Sequence, residues 1–323
     1  MLAVVARSFG PPEVLALEEL PDPTPGPSEV LVRVHAAGVN PYDTYMRAGG
    51  YALSPEPPYI PGADAAGIVE EVGEEVTGVR EGDRVYIGGT AASRAWGAYA
   101  TLVVCRPDQV HPLPARLSFA QGAGINVPYA TAWRAVFQRA EASRGESILV
   151  HGASGAVGLA AVQMARAAGL TVIGTASTED GAALVRAQGA AHVLNHRQAG
   201  YLDQLALLTN GGPNIIIEML ANQNLDNDLA VLAKHGRIVI VGNRGRIEID
   251  PRRIMSKEAT VRGTAFWNLT DEAVAQIHKD MARGFEDGTL SPVVGRELPL
   301  AEAAIAHQLV LEPGARGKIV LRA

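Results

Sequence analysis

The sequence contains a single cysteine, Cys105, among 323 residues. One thiol cannot form a disulfide within the chain or build a multi-cysteine metal site, so we expect a protein of a reducing compartment, the cytoplasm. No stretch approaches the roughly 20 uninterrupted apolar residues that cross a bilayer. The short apolar run at residues 2–6 is interpreted as a first strand, because it is too brief for a signal peptide.

An excess of positive charge is absent as well. Lys and Arg number 28 against 34 Asp and Glu, and the formal net charge is −6. Proteins that bind the phosphate backbone of nucleic acids usually carry a basic domain or stripe, so this balance argues against them. The composition is that of an ordinary globular chain, with 47% hydrophobic residues, 19% charged residues and 35 glycines. At roughly 100–200 residues per domain, the length predicts two domains.

The hydrophobic pattern changes along the chain. Up to about residue 120, short β-like runs alternate with glycine- and proline-rich turns, which predicts a compact β-rich lobe. From about residue 125, apolar strands alternate with Ala-rich helical periods, which is typical of βαβ units and a doubly wound parallel sheet. We therefore predict an α/β protein in which residues 125–264 form one domain. Residues 1–124 and 265–323 form the other.

The clearest functional motif is the loop GASGAVG at residues 152–158, which follows an apolar strand and opens a helix. Backbone amides and the helix dipole at such a place favour a pyrophosphate. Gly155 would let the diphosphate approach without an intervening side chain, and Gly158 would let the helix pack closely on the strand. The alternative is a tight turn of another α/β protein. Inside a βαβ unit the motif favours a dinucleotide.

The next strand indicates which dinucleotide. NAD-binding domains usually place Asp or Glu at its end, where the acid binds the ribose hydroxyls, whereas this strand ends in Gly-Thr-Ala-Ser177. Glu179 and Asp180 are expected to begin the following helix under a Ser177 cap. Ser177, together with His196 and Arg197 after the third strand, suits a 2′-phosphate and predicts NADPH. The alternatives are capping alone for Ser177 and a surface loop for His196.

The first lobe resembles that of the medium-chain dehydrogenase/reductases. That family holds zinc through a Cys in a Gly-x-x-Cys-x-x-Asp-like segment and a His-Glu pair in Gly-His-Glu-x-x-Gly. Here the corresponding segments are GVNPYD at residues 38–43 and GADAAG at residues 62–67, so Asn40 replaces the cysteine and Ala63 the histidine. Catalytic zinc needs about three protein ligands. We therefore predict no metal.

Further motifs narrow the resemblance to the zeta-crystallin-like NADPH:quinone reductases. They are residues 38–45, 58–62, 127–134, 150–155, 195–197 and 217–222. The resemblance implies a Rossmann domain at 125–264 and a GroES-like catalytic domain at 1–124 and 265–323. It also implies a homodimer or homotetramer, and a quinone or related electrophile as acceptor. Ala156 and residues 265–268 depart from the family pattern, and the second departure bears on the shape of the acceptor pocket.

Without a metal, catalysis would consist mainly of holding the nicotinamide against a flat acceptor and donating a hydrogen bond to the developing oxyanion. Asn40 and Tyr45 are the candidates, with Tyr51 as an aromatic wall of the cleft. Read without the family, Asn40 is a turn residue, Tyr45 a half-buried anchor and Asp43 a helix cap. Both interpretations stay open at this point.

The motif and the resemblance together imply a wider set of cofactor contacts. These are Thr131, Ser154, Gly155, Ala156, Val157, Gly158, Ser177, His196, Asn224, Val241, Gly242, Asn243, Arg244, Ala265, Phe266 and Trp267. Arg316 and Lys318 either assist a cofactor phosphate or merely solubilise the last strand. His35, His151 and His192 lie in or beside apolar runs and are interpreted as structural, and Cys105 as a small core residue.

Two other functions compete with quinone reduction. The same zinc-free lobe could reduce the activated double bond of an alkenal or enone with NADPH. A zeta-crystallin-like protein could instead bind NADPH in a structural or RNA-binding role. The acidic charge balance weakens the RNA version.

Overall fold

A computed structural model describes residues 1–50, 54–88 and 97–323. The chain divides into two compact units. The first unit comprises residues 1–127, 267–312 and 317–323, and the second comprises residues 128–266 and 313–316. Two stretches of the C-terminal region therefore flank a four-residue segment that belongs to the second unit.

The strands are β1 (Leu2–Ala6), β2 (Leu15–Glu19), β3 (Val30–Val39), β4 (Asp64–Val72), β5 (Arg84–Ile87), β6 (Leu102–Cys105), β7 (Val110–Pro112), β8 (Ser147–Val150), β9 (Thr171–Ala176), β10 (His192–Asn195), β11 (Ile215–Glu218), β12 (Arg237–Ile240), β13 (Thr260–Gly263), β14 (Val294–Pro299) and β15 (Lys318–Arg322). The helices are α1 (Pro41–Arg47), α2 (Phe119–Gly122), α3 (Asn126–Trp133), α4 (Ala156–Ala167), α5 (Glu179–Ala187), α6 (Asp203–Thr209), α7 (Ala221–Val231), α8 (Pro251–Lys257), α9 (Asp271–Asp287) and α10 (Ala303–Leu309). Helix α3 continues as a π-helical turn over Arg134–Arg139. No helix in the described ranges has the length and apolarity needed to cross a membrane.

The second unit is built on a six-stranded sheet in the order β10-β9-β8-β11-β12-β13. Every neighbouring pair is parallel. Strands β8 and β11 are buried along their whole length, as expected when helices cover both faces of a parallel sheet. The strand order reverses between β8 and β11, and ligands of open α/β sheets bind outside the carboxyl ends at such a reversal. The doubly wound sheet predicted from the sequence is thus present.

The first unit contains a sheet in the order β14-β15-β3-β4-β5-β7, with β6 also paired to β3, and a separate β1-β2 pair. Strand β3 is antiparallel to β15, β4 and β6. Its core is aliphatic, with buried residues such as Val32, Val69 and Leu321, and it includes Cys105 as predicted. The predicted β-rich lobe is therefore also present, and β15 joins it from the far end of the chain.

A short helix replaces the turn that Asn40-Pro41 suggests. Helix α1 starts at Pro41, and proline is well tolerated at the first helical position because its missing N–H would be unpaired there anyway. Asp43 sits at the third position and accepts a hydrogen bond from the backbone N–H of Asn40 at 2.8 Å. The interpretation of Asp43 as a helix cap is thus confirmed, whereas the simple turn at Asn40 is wrong.

Candidate functional site

Helix α4 begins directly after the glycine loop that follows β8. Gly155 is its N-cap residue, with an extended backbone (φ −78°), and no side chain caps the helix. The first amides of any helix lack partners inside it. The amides of Ala156, Val157 and Gly158 are therefore directed at whatever lies beyond this end, where the helix dipole favours an anion.

Gly155 and Gly158 differ in how much space their surroundings leave for a side chain. A Cβ on Gly158 would lie 2.5 Å from the carbonyl oxygen of Gly152 and 2.7 Å from the Cα of Ala153, so the helix packs closely at Gly158, against the loop that follows β8 rather than against the strand itself. A Cβ on Gly155 would meet its nearest neighbours, Gly152 and Ala315, at 3.5 and 3.9 Å, which are ordinary contacts. The fold therefore requires glycine at Gly158 but leaves room at Gly155. The space at Gly155 is therefore open to a ligand at the start of α4.

Most other predicted cofactor residues follow the strands of the same sheet. Ser177 comes after β9, His196 after β10, Val241 after β12 and Ala265 shortly after β13. Because these strands are parallel, their carboxyl ends form one edge of the sheet. The remaining members of the set lie on the loops and helices that follow the strands, except Thr131, which is half-buried on α3, and Trp267, which is 42% exposed and belongs to the first unit.

The cap of helix α5 is Thr178 rather than Ser177. The hydroxyl of Thr178 accepts a hydrogen bond from the backbone N–H of Gly181 at 3.1 Å. The predicted Ser177 cap is therefore wrong, because the helix starts one residue later than a Ser177 cap requires. Ser177 is half-buried at the end of β9, and capping no longer accounts for it.

The two acids that follow β9 are both paired with arginines. Asp180 forms an ion pair with Arg316 at 2.9 Å, and Glu179 forms one with Arg186 at 3.0 Å. Arg316 reaches this position because residues 313–316 belong to the second unit. The sequence left open whether Arg316 assists a cofactor phosphate or only solubilises the last strand. The structure places its guanidinium beside the start of α5, where it offsets the acidic charge near the end of β9.

Three buried titratable groups lie beneath this edge. His151 Nε2 is 2.8 Å from Asp228 Oδ1 and 3.5 Å from Glu218 Oε2. The sequence interpretation of His151 as structural missed this cluster, because its acids lie 67 and 77 residues further along the chain and no local spacing links them. Glu218 in turn binds the predicted cofactor residue Asn224, whose Nδ2 donates to Glu218 Oε1 at 3.1 Å.

In the first unit, Asn40 belongs to a second buried polar cluster. Lys318 Nζ donates to Asn40 Oδ1 and to Asp64 Oδ2, both at 2.6 Å, and Asn40 Nδ2 donates to the same Asp64 oxygen at 2.9 Å. The second Asp64 oxygen accepts from the backbone N–H of Val127 at 2.9 Å. Asn40 is 3% exposed and Lys318 is 2% exposed. Lys318 therefore does not solubilise the last strand, and its ammonium fixes the orientation of the Asn40 amide.

This cluster does not fit a catalytic zinc ion. It offers one amide and one carboxylate, residue 63 is alanine, and Cys105 lies in the aliphatic core of the same unit. Zinc prefers Cys, His and acidic ligands around an open position. Here the ammonium of Lys318 already lies at hydrogen-bonding distance from both side chains, so a cation is supplied by the chain itself.

A directed series of hydrogen bonds leads to the start of α1. Burial lowers the pKa of His307 to about 3, with a further contribution from Arg47, so its ring is neutral. Arg47 then donates to His307 Nδ1 at 3.4 Å, His307 Nε2 donates to the Tyr99 hydroxyl at 3.3 Å, and that hydroxyl donates to Asp43 at 3.1 Å. Burial raises the pKa of Asp43 to about 7. These hydrogen bonds hold helix α1, whose N-cap residue is Asn40, to Tyr99 and His307.

The other two predicted catalytic residues are Tyr45 and Tyr51. Tyr45 is half-buried on α1, which agrees with its interpretation as an anchor and leaves its proposed role a prediction. Tyr51 lies outside the described residues.

Comparison with known families agrees with this two-part architecture. Residues 26–115 match the alcohol dehydrogenase GroES-like domain. Residues 156–283 match the family described as zinc-binding dehydrogenase. The second description does not by itself imply a catalytic zinc ion at Asn40, because asparagine and alanine stand at positions 40 and 63, where the family has its cysteine and histidine ligands.

Whole-chain relatives narrow the family. The quinone oxidoreductase of Mus musculus is 46% identical over 326 residues, covering 99% of this chain and 97% of the relative. The crystal structure of the Escherichia coli quinone oxidoreductase complexed with NADPH is 27% identical, with a TM-score of 0.89 and full coverage of both chains. An NAD-dependent alcohol dehydrogenase structure is 31% identical, with a TM-score of 0.93 and equally full coverage. The chain therefore belongs to the zeta-crystallin-like quinone oxidoreductases of the medium-chain dehydrogenase/reductase family.

Proposed function

We propose that this chain is an oxidoreductase that reduces quinones with NADPH and without a protein-bound metal. One observation carries the proposal: the uncapped start of α4, where the chain leaves room at Gly155, lies in a sequence that matches a quinone oxidoreductase from end to end. A pyrophosphate is the ligand that such a helix start suits best.

The surroundings of β9 support NADPH as the cofactor. The strand ends without an acid, and Ser177 does not cap helix α5 because Thr178 does. Arg316 adds a positive charge beside Asp180. A 2′-phosphate would receive donors there, whereas a bare ribose diol would lack its usual carboxylate. We propose Ser177, His196 and Arg316 as its ligands, with the amides of residues 156–158 on the pyrophosphate.

The first unit would supply the polar contact to the acceptor. Bound NADPH supplies a hydride from its nicotinamide ring. The side-chain amide of Asn40 has two N–H groups. One donates a hydrogen bond to Asp64, so the other can donate to an oxygen of the quinone. Because Lys318 and Asp64 hold that amide in one orientation, it needs little reorganisation when charge develops. Tyr45 is proposed as a second contact.

A direct assay tests the proposal against its rivals. We expect the purified protein to oxidise NADPH with an ortho- or para-quinone, to use NADH poorly, and to keep its rate in a chelator. Side-by-side rates with a 2-alkenal decide between acceptors, since faster turnover of the alkenal would make the protein a double-bond reductase. NADPH binding without turnover of either class would favour a structural or RNA-binding role.

Removing the charge of Arg316 should change cofactor preference. We expect Arg316→Gln to weaken NADPH binding roughly tenfold, the loss of one charge-assisted contact, and to leave NADH binding unchanged. Arg186→Gln is the matched control, because Arg186 lies on the same helix and pairs with Glu179, the residue next to Asp180. Fluorescence titrations with both nucleotides measure the two affinities. An equal loss for NADPH and NADH would remove Arg316 from the 2′-phosphate site.

We also propose a homodimer or homotetramer in the cytoplasm. Strand β13 lies at an edge of the second unit's sheet, and its Val261 is 37% exposed. An open edge with an exposed aliphatic side chain suits pairing with the same strand of another copy.

A further inference from the structure

The buried cluster in the second unit has no part in the function proposed above. His151 follows β8, Glu218 ends β11 and Asp228 lies on α7, and their exposed fractions are 3%, 0% and 0%. All three belong to the second unit. Burial of two acids and an imidazole is costly unless their charges and hydrogen bonds are satisfied together.

The charges of the cluster can be assigned. Burial lowers the pKa of His151, but the charge and hydrogen bond of Asp228, with the charge of Glu218, outweigh it and leave that pKa above its ordinary value. Burial also raises the pKa of Glu218 to about 7, opposed by His151 and reinforced by Asp228. Two further titratable groups face the cluster. The charges of Asp228 and Glu218 help to raise the pKa of Tyr201, and the charge of His151 helps to lower the pKa of His196.

Two buried carboxyl oxygen atoms indicate where the cluster needs a hydrogen-bond donor. Glu218 Oε2 and Asp228 Oδ2 are buried and have no hydrogen-bond donor within the described part of the chain. A proton on Glu218 supplies a donor between the two carboxyl groups. An imidazolium, one carboxylate and one carboxylic acid then sum to zero charge, which a buried site favours.

Glu218 also touches the segments proposed to bind the cofactor. Its Oε1 accepts from Asn224 Nδ2 at 3.1 Å and from the backbone N–H of Leu220. Its backbone carbonyl accepts from the N–H groups of Val241 and Gly242 at 2.8 and 3.3 Å. Loss of the proton would place two carboxylates face to face and add a negative charge beneath the site proposed for a polyanionic cofactor.

We propose that Glu218 is a positioning residue that keeps its proton when NADPH is bound, so that cofactor affinity falls as this proton leaves. The inference rests on the proposed function, because it assumes that NADPH binds at this edge. By linkage, a ligand that prefers the protonated protein binds more weakly as pH rises through the pKa of that group.

The affinity for NADPH as a function of pH tests the inference. We expect wild-type affinity to fall about fivefold or more between pH 6 and pH 8.5, the scale of a modest coupling between two sites. Glu218→Gln should bind NADPH with nearly constant affinity over this range. The amide imitates the protonated acid, since Oε1 can accept from Asn224 as before and Nε2 can donate to Asp228 as the acid proton would. A purely structural role would not abolish the pH dependence in this way.

Two further variants keep the test decisive. His196→Gln removes the titratable side chain among the proposed 2′-phosphate ligands, and we expect the fall through pH 7 to survive in it. Asp228→Asn removes a charge that raises the pKa of Glu218, so the fall should begin at lower pH. Unchanged pH dependence in Glu218→Gln, or a flat wild-type profile, would overturn the inference.

Two other outcomes have distinct meanings. A stoichiometric metal ion in the purified protein, lost in His151→Asn, would show that a cation rather than a proton joins the three side chains, and would overturn the inference. Wild-type protein that binds no NADPH at any pH would overturn the proposed function itself. Wild-type protein that reduces a quinone with NADPH while its affinity ignores pH would overturn only the role of Glu218.

Discussion

Lys318→Met should lower the free energy of unfolding by about 3–5 kcal/mol, the usual cost of removing one partner of a buried ion pair. The methionine fills most of the space of the lysine stem but leaves Asp64, which is 0% exposed, without its cation. Asn40 Oδ1 also loses its donor. The local packing shows how closely the lysine is accommodated, because a Cβ on Gly38 would lie 2.6 Å from its Cε.

A double variant distinguishes charge from shape. In Lys318→Met with Asp64→Asn the Asn40 amide can turn over, so that its oxygen accepts from the new amide at residue 64, and most of the lost stability should return. Lys279→Met is the control, because Lys279 is exposed on α9 and its loss should change stability by about 0.5 kcal/mol or less. Urea denaturation measures all three. A loss below about 1 kcal/mol for Lys318→Met would contradict a buried charge pair at this site.

Gly158→Ala and Gly155→Ala should separate folding from cofactor binding. The added methyl of Gly158→Ala meets backbone atoms at 2.5 and 2.7 Å, so the loop must shift. We expect a loss of about 1–3 kcal/mol in stability, typical of overpacking, together with loss of NADPH binding. The methyl of Gly155→Ala meets only ordinary contacts, so stability should fall by about 1 kcal/mol or less, the difference between glycine and alanine at a helix N-cap. NADPH binding should still weaken at least roughly tenfold, because the methyl lies where the pyrophosphate is proposed to approach.

Gly155→Ser provides the matched control for the second variant. Its hydroxyl can cap α4 and restore the stability that alanine loses, yet it still occupies the proposed phosphate position. Thermal melts and NADPH titrations on the three variants give the comparison. Wild-type affinity in Gly155→Ala and Gly155→Ser would show that no phosphate rests against this helix.

The sequence predicted those features that local pattern controls. Buried apolar runs between Ala-rich helices indicated the parallel sheet, and the glycine loop indicated the start of α4, since both depend on residues close together in the chain. The start of helix α1 at Pro41 was left open because Asn40-Pro41 also has the composition of a turn, and only the packed structure decides between the two. The α5 cap was misplaced by one residue because two hydroxyl residues, Ser177 and Thr178, stand side by side.

Contacts between distant residues could not be predicted in the same way. Lys318 lies 254 residues from Asp64, and Glu218 lies 67 residues from His151, so no spacing rule connects them. The sequence did contain one usable signal, a lysine within an apolar strand that is otherwise suited to burial. Lysine is almost never fully buried without a partner, and a search for that partner among the acids of the same lobe would have included Asp64, which begins β4, two strands away from β15.

The interior position of β15 has a consequence for synthesis of the chain on the ribosome. This strand lies between β14 and β3, so the first unit lacks an inner strand of its larger sheet until residues 318–322 have been translated. All strands of the second unit lie within residues 147–263 and emerge earlier. The nucleotide-binding sheet can thus form while residues 36–39 of β3 still lack their partner strand, and during that interval these residues present an unpaired strand edge.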